Sequence, residues 1–266
     1  MSASSGPSAS AASPDASLAN HRTLRRLPSP ASWIDRRVRS QPLLADDRGR
    51  RVVFLSHCLL NENTRYAGGA FTAGGRHELV ERWAASGVGI VQMPCPEQRV
   101  WGGVLKRRLW LLTFIGRRLP GSLRQAVVRL ALGYTRLRYE RIAREVAHQI
   151  LDYRRSGIEV VAVVGVDGSP SCGVFQRLDA RRSLDVAVAD PSMSRDEFNH
   201  RAIAACVEAG AGWFTDSLQR RLRRGGCGVP FHAFDLLAEM EGASTVHVAH
   251  PGLGRRRQFR SGSVGA

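Results

Sequence analysis

VVFLSHCLLN (52–61), GVGIVQMPCPE (87–97) and VVAVVGVDGSPSCGV (160–174) share one plan, a short apolar run followed by a tight loop that carries a cysteine. Each run is rich in β-branched residues and bounded by turn formers, which predicts strands over 52–56, 88–93 and 158–166. Cys58, Cys95 and Cys172 then fall at strand carboxyl ends, outside which open α/β sheets bind their ligands. Three cysteines far apart in sequence can meet there as one site, as ligands rather than disulfide partners.

The fold follows from what lies between the three runs. After the first comes a glycine-rich loop through Gly68, Gly69, Gly74 and Gly75, then a predicted helix over 77–85 with Leu79, Val80 and Trp83 at helical spacing. With the second strand this is a βαβ unit. A basic, helical segment over 104–153, broken once at Pro120 and Gly121, leads to the third strand. That strand is apolar almost throughout, as one buried on both faces is, and the long helical connection suits a parallel crossover. The expected class is α/β, a short, mainly parallel sheet flanked by helices, with a long helical insertion between the second and third strands. Beyond Cys172 the pattern predicts a strand over 184–189 and helices over 194–208, 211–223 and 233–240. Residues 1–47, rich in Ser, Ala, Pro and Arg, are expected to be disordered, and 250–266 to form a loose basic tail, leaving 48–249 as the folded domain.

At 266 residues and 43% apolar content the chain can bury a sizeable core. Its formal charge of +16 suits contact with polyanions. No apolar run reaches the length of a membrane span. Arg25 and Arg26 are not followed by the apolar segment that a twin-arginine export signal carries. Five cysteines, none in a CxxC pair, argue against a secreted disulfide framework, so a reducing cytoplasm is the expected compartment. The state of assembly is left open between monomer and homodimer.

Among the five thiols, Cys206 lies inside a predicted helix beside Ala204, Ala205 and Val207 and reads as core, whereas Cys227 in GGCGVP could serve as an additional ligand or sulfur acceptor. Pro94 and Pro96 bracket Cys95, and Pro170 and Gly173 flank Cys172. Such rigid loops suit metal ligation, and the hydroxyls and amides around Gly168, Ser169 and Ser171 can tune a metal site by hydrogen bonding.

His57-Cys58-Leu59-Leu60-Asn61 with Arg65-Tyr66, Pro94-Cys95-Pro96-Glu97 with Gly102-Gly103, and Ser169-Pro170-Ser171-Cys172-Gly173, in this order, resemble the 2-thiouracil desulfidase (TudS-like) family. The resemblance covers about residues 51–175. It implies a [4Fe-4S] cluster held by Cys58, Cys95 and Cys172, with one iron free of protein thiolate and open to the sulfur of a thiocarbonyl. It further implies hydrolytic removal of sulfur from a small thiolated compound or nucleobase, with release of sulfide. Asn61 after Cys-Leu-Leu, the GVDGSPSCG approach to Cys172 and the long 104–153 segment depart from the family pattern, which puts the substrate in doubt more than the cluster.

For that chemistry Glu97, held by Pro96 two residues from Cys95, is the first candidate for acid and base, and Ser169 and Ser171 are candidates to position substrate or water. Asp167 is a weaker acid/base candidate, and His57, adjacent to Cys58 on an extended strand, is expected to point elsewhere. The basic segment reads first as an amphipathic helical pair packed over the site with its arginines and Lys106 solvated; contact with thiolated tRNA or with an anionic membrane are the alternatives. A reading from another class is a non-catalytic zinc or iron–sulfur module of a basic nucleic-acid-binding protein, with Cys227 or His57 completing the coordination.

Overall fold

The computed structural model describes residues 30–41, 46–66, 68–116, 118–189, 192–235 and 246–247. The chain divides into two units, 1–47 and 48–266. The first contains α1 (Pro30–Arg39): Pro30 opens it, and Trp33, Ile34 and Val38 share one side. The expected basic tail and residues 1–29 lie outside the described residues.

The second unit is an α/β domain whose sheet has the order β2-β1-β3-β6-β7, built from β1 (Arg51–Ser56), β2 (Gly89–Met93), β3 (Glu159–Asp167), β6 (Phe231–Asp235) and β7 (Val246–His247). The first four strands run parallel and β7 is antiparallel to β6. Between β1 and β2 lie α2 (His57–Leu60), a short 3-10 turn (Glu62–Thr64) and α3 (His77–Ala85). Between β2 and β3 lie α4 (Pro96–Val100), α5 (Arg107–Gly116) and the long α6 (Gly121–Arg155), the insertion expected there. A small antiparallel pair, β4 (Gln176–Leu178) with β5 (Val207–Ala209), surrounds α7 (Ala180–Ala189) and α8 (Arg195–Cys206), and α9 (Trp213–Arg224) precedes β6.

Two segments differ from their predicted form. Residues 184–189 are the second half of α7 rather than a strand; the Asp179 carboxylate accepts from the amides of Arg181 (2.8 Å) and Arg182 (3.0 Å), so a capped helix start outweighs the alternation of Leu184, Val186 and Val188. Residues 231–235 are a strand where 233–240 was expected to be helical, because pairing with β3 across Val163–Asp167 outweighs the helix preference of the local sequence. Residues 236–240 lie outside the described residues.

Both faces of the central strands are covered. Val52 and Phe54 pack with Tyr139, Ala143 and Ile150 of α6 and with Phe214 and Leu218 of α9. Val53 and Leu55 point the other way, toward Leu59 and Leu79. Each such fully buried large side chain contributes about 2 kcal/mol. The register of β1 on β3 slips by one residue, with Val52 opposite Val160 but Val53 opposite Ala162, leaving Val161 as a bulge. The bulge keeps the alternation in phase, so Val163 joins Phe54 on one face while Val164 and Ala162 join Leu55 on the other.

At the end of β3 the chain turns back on itself. The Val166 amide donates to the Cys172 carbonyl at 3.0 Å, and Asp167 Oδ1 accepts from the amides of Val174 (2.7 Å) and Phe175 (3.0 Å). The fold-back passes so close to β3 that a Cβ on Gly165 would stand 2.2 Å from the Cys172 carbonyl oxygen. Gly165→Ala is therefore expected to destabilise the domain by about 1–3 kcal/mol in urea unfolding. By contrast Gly133→Ala, in the middle of α6 with open space around its Cα, is expected to stabilise it by about 0.5–1 kcal/mol.

Candidate functional site

The strand order places the three cysteine loops side by side. β1 is paired on one edge with β2 and on the other with β3, all parallel, and Ser56 lies level with Met93. Cys58 and Cys95, each two residues further on, thus leave the sheet at the same height, and the fold-back after β3 brings Cys172 to that edge.

Local chemistry fixes each thiol. Cys58 stands in the first turn of α2, directly after β1. Cys95 is the N-cap of α4, its Sγ accepting from the Gln98 amide at 3.4 Å with Pro96 as the first helical residue. Cys172 is held by its own amide, which donates to Ser169 Oγ at 3.1 Å. Gly168, at φ +80°, makes the turn that starts this loop.

The thiols lie within electrostatic reach of one another. Burial raises the pKa of Cys58, against the charges of Arg65 and Lys106. Burial, then Glu97, pushes the Cys95 thiol up to about 12, with Cys58 adding to the rise. Cys172 is raised well above the thiol range by burial first, then by Cys58 and Cys95. Among the described residues, no three His, Cys, Asp or Glu side chains are grouped tightly enough to grip a metal ion as they stand.

Glu97, in the first turn of α4, links the loops. Its Oε1 accepts from Ser171 Oγ at 2.9 Å and from Ser169 Oγ at 3.3 Å. Its Oε2 faces the Lys106 ammonium at 3.7 Å. Ser171 Oγ also lies 3.6 Å from Cys172 Sγ. Ser169 has two tasks, since its oxygen accepts from the Ser171 and Cys172 amides while its proton is directed at Glu97. Glu97, Ser169 and Ser171, the leading candidates singled out from the sequence, are thus in mutual contact.

Lys106 is the main correction to the sequence reading. Expected among solvated cations, it is only 1% exposed, and its Nζ donates to the Thr64 carbonyl at 2.7 Å. It closes the turn through Gly102 and Gly103 and has a φ of +53°, the left-handed region that side chains rarely adopt. Its charge favours the thiolate at Cys58 and Cys95. His57 is also beside this cation; burial first, and Lys106 second, lower its pKa.

Tyr139 of α6 was not foreseen either. Its hydroxyl accepts from Trp101 Nε1 at 3.0 Å, and its pKa is driven well above the phenol range by burial, with Glu97, Cys95 and Cys172 adding to the rise. Glu62, 1% exposed, organises the wall beneath Cys58. Its Oε1 meets Arg76 at 2.6 Å and Arg65 at 3.5 Å, while its Oε2 accepts from the Phe71 and Thr72 amides. These residues are scattered among loops and a helix face, where no spacing in the sequence marks them.

The other candidates lie elsewhere. Asp167 is committed to the Val174 and Phe175 amides and serves the loop. Cys206 is buried where α8 ends, near Asp179 and Arg182. Cys227 follows α9 and precedes β6; because β6 is parallel to β3, that places it at the opposite edge of the sheet from the three thiols, beside Arg154.

No protein-family model and no solved structure matches the chain. Among curated proteins it is similar to an uncharacterized protein of Methanocaldococcus jannaschii, 23% identical over 133 residues, which are 48% of this chain and 71% of the relative.

Two outcomes follow from the charges. Lys106→Met, which leaves Glu97 beside an apolar neighbour, is expected to cost about 3 kcal/mol in urea unfolding, with Lys106→Arg recovering part of it. For Glu62, burial opposes ionisation but Arg65 and the Phe71 and Thr72 amides override it, so its folded pKa lies below the ordinary glutamate value. Its stabilisation is present above that value and is lost as pH falls through the lower, folded one. Glu62→Gln is expected to destabilise the domain by about 3 kcal/mol near pH 7 and to flatten the acid limb of stability against pH.

Proposed function

We propose that this protein is an iron–sulfur-dependent desulfidase that hydrolyses the C=S bond of a small thiocarbonyl compound or thiolated nucleobase. The observation that carries the reading is the gathering of three thiols from three adjacent strand ends around Glu97, Ser169 and Ser171. The donor set fits a [4Fe-4S] cluster. A cluster takes its ligands at separate corners, which suits three thiols carried on three separate loops. Lys106 and Arg65 supply positive charge where three thiolates would accumulate negative charge. Cys58, Cys95 and Cys172 would hold it, and when bound an iron without a protein thiolate supplies a Lewis acid with affinity for sulfur.

The remaining work falls to the chain itself. Glu97 takes a proton from the attacking water and delivers a proton to the departing sulfur, so that the thiocarbonyl compound and water become the carbonyl compound and hydrogen sulfide. No electrons are exchanged. Ser169 and Ser171 fix the carboxylate through one oxygen, and Lys106 balances the other. In the competing structural-zinc reading Cys227, at the far end of the strands from the other thiols, is not available as fourth ligand, which leaves His57 beside Cys58 for that role.

Anaerobically purified protein is expected to be brown, with about four irons per chain, and to release sulfide from a panel of thiolated bases that includes 2-thiouracil. Cys172→Ser is expected to lose iron and activity together. Glu97→Gln is expected to keep its iron and lose sulfide release by about 10²–10⁴-fold. Colourless protein containing zinc, or no sulfide from any compound by iron-replete protein, overturns the reading.

A further inference from the structure

We propose that the face formed by α5 and the first half of α6 binds the surface of an anionic membrane. On α5 the residues turned inward are Leu109, Leu112, Thr113 and Gly116, yet the outward arc is equally apolar: Trp110, Leu111, Phe114 and Ile115 are 39–59% exposed. A helix that is apolar all round belongs in an interior, and this one has half its circumference uncovered. On α6, Leu123, Leu130, Tyr134 and Leu137 are 50–76% exposed and recur on one side of the helix. The two helices approach each other where Arg108 and Leu112 of α5 and Tyr134 of α6 line one small cavity.

The segment itself carries charge of one sign, and of its arginines Arg124 is paired with Asp185 of α7. Residues 98–139 contain no Asp or Glu, while Arg107, Arg108, Arg118, Arg129 and Arg138 are exposed. The occupant must therefore offer both an apolar interior and negative charge. A bilayer with anionic headgroups does, taking the aromatic and leucine side chains below the headgroups and the guanidinium groups among the phosphates. A second copy does not, because a two-fold contact would set arginine against arginine. Of the chain's own segments outside the described residues, the two termini, 1–29 and 248–266, are net basic and equally unsuited, while the acidic 236–245 is a ten-residue connection tied at both ends to the paired strands β6 and β7. Nucleic acid would meet the arginines and leave Leu111, Leu130 and Leu137 in water. The proposal stands on these side chains alone and not on the chemistry of the cysteine site.

The full-length protein is to be sedimented with vesicles of phosphatidylcholine alone and with vesicles of phosphatidylcholine and phosphatidylglycerol in equal amounts. Binding is expected to the mixed vesicles only and to weaken as salt is raised. Leu111→Asp with Phe114→Asp, and separately Arg118→Glu with Arg129→Glu, are each expected to weaken it about tenfold or more while leaving the circular dichroism spectrum and thermal midpoint unchanged. Because all four positions are exposed, a lost fold is readable in those controls, and the two pairs test the apolar and the charged contributions independently. Equal binding to both vesicle types, or binding to neither, overturns the proposal. So does a dimer in light scattering that Phe114→Asp splits, or RNA binding that survives the Leu111→Asp, Phe114→Asp change while vesicle binding is absent.

Discussion

Everything at the site depends on parallel pairing of β1 with a neighbour on each edge. Parallel strands end at the same rim, so three loops separated by long stretches of chain emerge side by side. The pairing is held less by its own hydrogen bonds than by burial on both faces, where α6 and α9 press on Val52 and Phe54 and α2 and α3 cover Val53 and Leu55. The bulge at Val161 belongs to the same constraint. Without it the second half of β3 would show its core side chains to the wrong layer, and the chain leading to Cys172 would depart from the wrong side of the sheet.

On that frame the site is assembled mostly from short-range contacts within loops. Cys95 caps a helix, Ser169 closes a turn around the Cys172 amide, and Glu62 ties the segment after Cys58 to Arg65 and Arg76. Glu97 is the group that reaches between loops. It touches Ser169 and Ser171 from a different element, and the buried cation beside it comes from a third. A carboxylate so placed has its orientation fixed by the fold, one oxygen held by two hydroxyls and the other facing a buried ammonium.

Much of this was legible in the residues. The β-branched runs gave three of the sheet's strands, the helix over 77–85 is found as read, and the strand-end setting of the cysteines singled out the loops that meet. What was not legible has physical causes. Residues 231–235 are short and carry helix-compatible side chains, so their strand state is imposed by β3 and visible only in pairing. For 184–189 the signal was present in the Asp179 cap but was masked by an alternating Leu-Val-Val pattern. Lys106 was concealed by its company: in a run of exposed arginines one buried cation has no distinguishing composition, and only the two glycines before it, both at positive φ, hint that the chain turns inward.

The backbone at Lys106 has a consequence for how this protein can change. A φ of +53° at a side-chain-bearing residue costs about 1 kcal/mol that glycine would avoid. Selection for thermal robustness alone would favour glycine or asparagine here, and either would remove the ammonium from beside Glu97. Robustness and charge placement therefore compete at a single residue, where the cost of a left-handed backbone is set against the loss of a buried ammonium.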